Sequence, residues 1–582
     1  MQYTNLYDFI LGEETLFKTS KIEVARGYFW SFFEHILKSV LYKHSQFVKG
    51  PDENKPFKNI IKPILNLQYR SEGFDVKDIE LFVNDAEKYF KSFLIRKYHE
   101  KWAREEEIDT FIDAMVESYV DFGGALIKRI KSGVELVPLQ RLAFVDQTDI
   151  LSGAICEKHY YSPSELLEMA GDNGWDMGKA KILAEMCSLQ RQDNYSDTES
   201  TTPTPYVEIY ELHGNLPIEW LNEEDTDYED KEYVPQVHIV GFFKSNERGD
   251  EKKNGLTLFS QVEKKPRYKF ISRDPVYGRA LGFGGVEELM QAQIWTNYSE
   301  IHKKNLMDSA SKTLFQTADQ SFHNRNNTNN LTNNSILVHE AGKPLTQVNT
   351  FPSNIQVFDN SIAEWQDLAQ RMGAASDPIL GEEPKSGTPF RLQALVTQEA
   401  HSLHEYRKGK LATFLDEVYR DWIMPDLAKK ASDIEFLAEL DLDEVQSIAD
   451  ALVVSETNKA IKDKILSGEV VLPEQVEAFK FIVRENFRKT GNRKFIKIMK
   501  NEFKDAPIDI KVNIAGKQKY AAQYVEKLNN TFATIASNPA ILQSPQMAKL
   551  FNQILEASNL DPIDFSDFTA PLPPVEAQPI PA

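Results

Sequence analysis

The chain has 582 residues, of which 41% are hydrophobic, and a formal net charge of −21. This length and apolar content can fill a sizeable core, so a disordered scaffold is excluded. The acidic balance argues against a protein that grips nucleic acid, because such binding normally requires a dominant basic surface. The two cysteines, Cys156 and Cys187, form no Cys-x-x-Cys pair. Neither a disulfide framework nor a thiolate zinc site is therefore expected, and a reducing cytoplasm fits best.

The first 122 residues are predicted to be mostly helical. A charged helix is expected from about Lys77 to Glu105 and another from Ile108 to Tyr119. An earlier amphipathic helix is predicted from an apolar face at Ala25, Phe29, Phe32, Ile36 and Val40. Its apolar run is too short to cross a bilayer, and we expect neither a signal peptide nor a membrane anchor.

After Gly123-Gly124 the apolar pattern changes towards strands. We predict strands at 125–127, 134–137, 206–210 and 236–240, with a helix beginning at Ser162-Pro163-Ser164-Glu165. Polar residues 191–205 and acidic residues 223–232 indicate exposed loops. The pattern favours an α+β body for residues 1–283, and the chain as a whole is predicted to be α+β and predominantly helical.

A different organisation follows. A helix over 286–308 leads into a stretch without helical periodicity, 311–357, which carries seven asparagines within eleven residues. A second helix is predicted over 359–375, a loop over 376–388, and a long helix from Pro389 that ends at Pro425. Beyond 431 we predict helices, including one over 518–536, a strand at 508–512, and a disordered proline-rich tail over 566–582.

The passage from Arg273 through Pro275, Tyr277-Gly278-Arg279 and Gly284-Gly285 into the 286–308 helix resembles the entry to the stem of tailed-bacteriophage portal proteins. The order of elements over about 110–430 is similar as well. The resemblance implies a first stem helix at 284–310, a clip at 311–357, a second stem helix at 358–375, a tunnel loop at 376–388 and a long wing helix at 389–430. Residues 1–283 would form the N-terminal helices and wing, and 431–565 a crown-like helical region, so named from chain position alone.

Membership of that family implies a non-enzymatic, dodecameric ring at one vertex of the virion capsid, assembled in the host cytoplasm. Viral DNA would be packaged through its channel, retained and later ejected. The implied partners are further copies of the chain, the major capsid protein, the large terminase subunit, the head-tail adaptor and double-stranded DNA, with no membrane. An acidic wall would let DNA slide, because it repels phosphate.

Within this interpretation, local basic residues are candidates for contact with DNA in the channel, although solvated side chains on the outside of the stem are an ordinary alternative. The candidates are Lys303, Lys304, Lys312, Arg325, Lys385 and Arg391. The asparagine-rich stretch suits a clip, because asparagine tolerates turns and offers donors and acceptors to a partner, although a loop without function would look similar. The candidate clip residues are Phe322, His323, Asn326, Asn327 and Asn330.

Other classes of protein find less support. The sequence contains no Gly-x-x-x-x-Gly-Lys-[Ser/Thr] loop and no His-Glu-x-x-His motif, so no enzyme, cofactor or metal is predicted. His401 and His404 share a helix face, which packing or solvation explains without a metal. A helical scaffold or adaptor of the virion, with no DNA channel, is the alternative, but the heptad pattern is not sustained.

Overall fold

The computed structural model describes most of the first 430 residues and little of the chain beyond them. The described residues are 5–47, 55–76, 79–82, 98–131, 133–193, 206–221, 232–244, 253–263, 265–311, 314–326, 336–348, 355–375, 390–430, 453, 457, 461, 464, 473–490 and 509–512. All of them belong to one compact unit, Met1–Asn513. The predicted loop at 376–388, the helix at 518–536, the proline-rich tail and most of 431–565 lie outside the described residues.

The described part is a mixed α+β structure, as predicted. Its helices are α1 Leu6–Thr19, α2 Phe32–Lys43, α3 Ile61–Glu72, α4 Ile108–Phe122, α5 Pro163–Asn173, α6 Met177–Asp193, α7 Gly285–Ala310, α8 Phe322–Arg325, α9 Ile355–Met372, α10 Phe390–Val418, α11 Met424–Lys430 and α12 Pro473–Thr490. Its strands are β1 Ile22–Ala25, β2 Tyr28–Trp30, β3 Ile79–Phe82, β4 Gly124–Arg129, β5 Val134–Val137, β6 Leu142–Phe144, β7 Ile155–Tyr161, β8 Val207–Pro217, β9 Tyr233–Lys244, β10 Lys253–Val262, β11 Tyr268–Ser272, β12 Leu314–Gln316, β13 Thr346–Val348 and β14 Asp509–Val512.

Two antiparallel sheets form the body. One has the order β10-β9-β8-β7-β6 and the other β11-β4-β5. The four strands predicted within residues 1–283 are confirmed. The helix start at Ser162 is confirmed too, because a reciprocal capping box with Glu165 opens α5. α5 and α6 cover one face of the five-stranded sheet through Leu166 and Leu183, which pack with Ile209.

The predicted break at Gly123-Gly124 is confirmed. α4 ends at Phe122, and Gly123 has a φ of 81°, a left-handed value that favours glycine. A Cβ on Gly123 would lie 2.4 Å from the carbonyl oxygen of Gly282. Only glycine therefore lets the segment before α7 approach this corner.

Two helical predictions near the N-terminus are wrong in part. Ala25 and Phe29 lie in the hairpin β1-β2, where Gly27 has a φ of 80°, and the helix begins only at Phe32, which Ser31 caps. Ala25 and Phe29 are apolar residues of the hairpin whose spacing also matches the apolar face of α2. The sequence pattern therefore predicts one longer helix.

The predicted helix from Lys77 to Glu105 is also wrong at its start, because 79–82 form β3. This strand pairs antiparallel with β14, in the register Leu81 with Ile510. The predicted strand at 508–512 is thus confirmed, and its partner lies more than 400 residues earlier in the chain. A partner that distant decides the conformation of four residues whose local pattern favours a helix.

A helical core joins α3, α4, the beginning of α7, and α10. Its fully buried side chains include Leu65, Met115, Leu289 and Leu415. A second core lies between the two sheets and the N-terminal helices. None of the described helices combines the length and apolar character that crossing a bilayer requires.

The helices predicted over 286–308 and 359–375 are confirmed as α7 and α9, although α9 begins four residues earlier and ends at Met372. We call α7, α9 and the residues between them the helical hairpin. Its helices are antiparallel, because Trp295 stacks on Trp365 while His302 stacks on Phe358.

The predicted long helix is confirmed as α10, but its predicted end at Pro425 is wrong. A π-helical turn, Tyr419–Ile423, follows α10 and leads into α11. Pro425 is the second residue of α11 and lies inside this continuous helical run, where a proline would disturb the hydrogen bonds of a regular α-helix. The π-helical turn directly before the proline accommodates the altered hydrogen bonding. The chain therefore stays helical past Pro425.

Candidate functional site

The helical hairpin is anchored to the body at one end only. All the buried residues of α7 lie between Gly285 and Ser299, and residues 300–310 include none. α9 buries only Ile362 and Ala369. The hairpin therefore has a base that packs on α3 and α4 and an outer part whose contacts, among the described residues, are mainly within the hairpin.

Arg279 fastens the turn before α7 to the first turn of that helix. Its Nη1 and Nη2 donate to the two carboxylate oxygens of Glu287, at 2.9 and 2.7 Å. The remaining N–H groups donate to the carbonyl oxygens of Leu281 and Gly282 and to the hydroxyl of Tyr28. All five donors of the guanidinium are thus used.

The guanidinium of Arg279 also lies over two aromatic rings. Its central carbon is 5.3 Å from the centroid of Trp30 and 5.4 Å from that of Phe283. Gly278 has a φ of 84°, which only glycine adopts without strain, and it leaves Tyr277 98% exposed. The Tyr-Gly-Arg sequence therefore consists of an exposed ring, a turn residue and a buried anchor.

A second group of charged side chains lies beside this turn, and we call it the base cluster: Glu72, Arg273, Asp274, His404 and Arg407. Arg273 is completely buried and donates to both carboxylate oxygens of Glu72, at 2.6 and 3.2 Å. Arg407 donates to Asp274 at 2.6 Å, and His404 lies 3.3 Å from Glu72. The cluster joins α3, the turn before α7, and α10.

Burial and pairing act in opposite directions on the acids around the base cluster. Burial raises the pKa of Glu72, but the bond from His404 and the charge of Arg273 outweigh it, and the pKa lies below its usual value. Burial raises the pKa of Glu288 above its usual value, and Arg407 and Arg273 only reduce that effect. Buried ion pairs of this kind hold elements in one arrangement, because breaking one leaves an uncompensated charge.

The predicted channel lysines are partly neutralised within the chain. Nζ of Lys303 lies 2.5 Å from Asp359 on α9, and Nζ of Lys304 lies 3.2 Å from Asp308 on its own helix. Arg325 pairs with Asp319 at 3.1 Å. Lys312 and Lys385 lie outside the described residues, and Arg391 is in α10 with a side chain outside the described part.

The candidate clip residues divide between the inside and the outside of the insertion. Phe322 is buried, and its predicted contact with a partner stays a prediction. The side-chain amide of Asn326 donates from Nδ2 to the carbonyl oxygen of Val338 and accepts at Oδ1 from the N–H of Val338. It thus bonds the backbone of Val338 as a neighbouring strand would. His323 is exposed, whereas Asn327 and Asn330 lie outside the described residues.

Asp319 organises this insertion. Its carboxylate accepts bonds from the N–H and hydroxyl of Ser321, from the N–H of Glu340 and from Arg325. These bonds bring the two sides of the insertion together, next to the two-stranded sheet of β12 and β13. The described residues of the insertion are therefore held mainly by polar contacts, and Phe322 is the buried apolar residue among them.

One group of side chains in the described part could reach a metal ion: Glu157, His159 and Glu211, which share a face of β7 and β8. Nζ of Lys128 lies 3.1 Å from Glu157 and 2.5 Å from Glu211. An ammonium group thus takes the position that a cation would need. Burial raises the pKa of Glu211, but the charge of Lys128 and the bonds from His159 and His213 outweigh it and hold that pKa well below its usual value.

Sequence reasoning missed most of the anchoring residues. Arg273, Asp274 and Arg279 belong to the passage that carries the resemblance, but no role is predicted for them, and for His404 only packing or solvation is expected. One signal was present: Gln68 and Glu72 continue the apolar face of α3 that Ile61, Ile64 and Leu65 begin. A carboxylate on a buried helix face requires a cation opposite it.

Comparison of the sequence with protein-family models found no match, and a search of curated proteins found no similar sequence either. The functional argument consequently depends on the residues and contacts described above.

Proposed function

We propose that this chain is a non-enzymatic subunit of a ring-shaped DNA channel, of the portal type found in tailed bacteriophages. The observation that carries the proposal is the hairpin: two antiparallel helices with an insertion at their tip, anchored through one end by buried ion pairs. The next described helix, α10, contacts the body at α3 and β11. This is the order that a stem, clip and wing require.

The outer surface of the hairpin supports an assembly of several copies. Large apolar side chains are exposed along it, and a monomer seldom leaves so many on one projecting element. They are Trp295, Tyr298, Met307, Phe315, Ile336, Val357 and Leu368. In a ring, the hairpin of one subunit would bury these side chains against its neighbour through heterologous contacts.

The charges of the hairpin support a channel that does not bind DNA tightly. Lys303 and Lys304 each have an aspartate partner, so neither presents an uncompensated charge. Each subunit also carries a net charge of −21. DNA would therefore be guided by weak and reversible contacts. The major capsid protein, the large terminase subunit and the head-tail adaptor would bind to the ring.

Negative-stain imaging and native mass spectrometry of the purified full chain test this proposal. We expect closed rings with a central hole, and a larger assembled fraction as salt screens the repulsion between acidic subunits. Monomers or dimers at every concentration would contradict it. Rods would favour the helical scaffold instead.

A further inference from the structure

Two buried guanidinium groups of the base cluster are only partly hydrogen-bonded. Arg273 uses Nε and Nη2 on the carboxylate of Glu72, and Arg407 uses Nε and Nη2 on Oδ2 of Asp274. Nη1 of each arginine is buried and has no hydrogen-bond partner within the described part of the chain. A charged donor left without an acceptor in a protein interior is destabilising, and native structures rarely contain one.

The two guanidinium groups are neighbours. Nη2 of Arg273 and Nη1 of Arg407 lie 2.6 and 3.6 Å from the same atom, Oε1 of Glu72. The second distance is too long for a hydrogen bond, and Nδ1 of His404 lies 3.3 Å from that oxygen as well. Glu72 therefore does not satisfy Nη1 of Arg407. A further acceptor beside the two arginines would receive the unused N–H groups and reduce the repulsion between the like charges.

The charges around the pair favour an anion as that acceptor. Three cations and three acids are in contact in this part of the described structure: Arg273, Arg407, Lys410, Glu72, Asp274 and Glu288. Burial raises the pKa of Glu288 above its usual value, because Arg407 and Arg273 offset that effect only in part. When Glu288 is protonated, the cations outnumber the ionised acids, and a bound anion restores the balance.

The surroundings of the two arginines select a small ligand. Arg273 is completely buried and Arg407 is 4% exposed, so the ligand must fit among packed side chains. This favours a single-atom anion over a phosphate group or an organic acid. Oε1 of Gln68, one turn before Glu72 on α3, also lacks a donor, which makes an internal water the competing occupant. Water would satisfy this oxygen but would leave the charge of the arginines unbalanced.

We propose that Arg273 and Arg407 bind a chloride ion, or a halide of similar size, at their Nη1 atoms. The ion would accept the N–H groups that the carboxylates leave unused and would join α10 to the turn before α7. It would be bound as the chain folds, so it would contribute to the stability of the body. The site does not depend on the proposed channel.

Thermal unfolding of the full-length protein in potassium chloride and in potassium gluconate of equal ionic strength tests the site. Gluconate is too large for a closed site, whereas both salts screen surface charges alike. We expect the melting temperature to be about 3 °C higher in about 0.3 M chloride, the effect of an ion that binds only the folded chain. Equal melting temperatures in the two salts would contradict the proposal.

Arg407→Lys removes the Nη1 donors but keeps a positive charge beside Asp274, so the difference between the two salts should disappear. Arg371→Lys changes the exposed pair with Asp367 and is the matched control, which should keep the difference. If the difference survives in Arg407→Lys, chloride acts elsewhere and the proposal is overturned.

Bromide locates the ion directly and requires no variant. Crystals of the full-length protein grown in bromide should show an anomalous peak within hydrogen-bond distance of Nη1 of Arg273 and of Arg407. A water molecule without anomalous signal at this position, or bromide bound only at the surface, would overturn the proposal.

Discussion

Arg279 stabilises the turn before α7 because every N–H group of its guanidinium donates a hydrogen bond. The side chain is completely buried, and its five N–H donors meet five acceptors. Lysine would keep the positive charge but could not form the paired bonds to Glu287 or reach the carbonyls at the same time. The turn before α7 depends on the planar fork and not on charge alone.

We therefore expect Arg279→Lys to lower the free energy of unfolding by about 3 kcal/mol, because buried acceptors lose their donors. Chemical denaturation followed by circular dichroism measures it. Arg371→Lys is the matched control, since Arg371 forms an exposed pair with Asp367 and should change stability by less than about 0.5 kcal/mol. Equal effects of the two substitutions would contradict the role given to Arg279.

Two buried histidines make stability depend on pH. Burial lowers the pKa of His99 and of His238 from 6.5 to about 4. The unfolded chain binds these protons below about pH 6.5, whereas the folded chain resists them until about pH 4. Their contribution is thus complete above pH 6.5 and is lost as the pH falls.

Denaturation curves between pH 7 and pH 4 should show this loss, on the order of 3 kcal/mol for each histidine. His238→Gln should flatten the profile, because glutamine takes no proton. His339→Gln replaces an exposed histidine and should leave the profile as it is. A wild-type profile that stays level through this range would show that neither ring resists protonation.

At the scale of elements, the insertion of the hairpin and the body are stabilised by different contacts. Asp319 and Asn326 hold the insertion through hydrogen bonds between its own residues. The cores of the body contain none of the described residues of 311–350. The two parts can consequently change independently.

Replacing residues 316–350 with a short Gly-Ser linker should leave the melting temperature of the body unchanged and abolish binding of a packaging motor and a tail adaptor. Calorimetry and pull-down with both partners measure these effects. Asp319→Asn gives a milder version, because it weakens the bonds that close the insertion while leaving its length intact. Full binding by the deleted protein would exclude this segment as the docking site.

For the whole molecule, the proposed ring makes the exposed aromatic side chains of the hairpin the expected contact between copies. Trp295→Asp should prevent assembly, because a charge would be buried at the contact, while the monomer stays folded since the ring is 45% exposed. Leu151→Asp changes a side chain of similar exposure on the body, at 48%, and should assemble normally. Native mass spectrometry measures the oligomeric state of both variants. Rings formed by the Trp295→Asp protein would show that the contact between copies does not include Trp295.

The sequence by itself determined the elements whose signals are local. The capping box at Ser162, the break at Gly123 and the long apolar periods of α7, α9 and α10 each need only neighbouring residues to be recognised. The pattern also placed the change from an α+β body to a helical hairpin near residue 284. The channel and clip roles of individual residues stay predictions.

Only the tertiary structure decided what depends on distant partners. β3 is a strand because β14 pairs with it. Glu72 belongs to the base cluster because Arg273 and His404 reach it from other elements. Lys303 acquired its partner in the same way, from a helix 56 residues further along. Hydrophobic period is a property of neighbouring residues, whereas a buried charge is satisfied by whichever residue the fold brings to it, so spacing along the chain cannot reveal the partner.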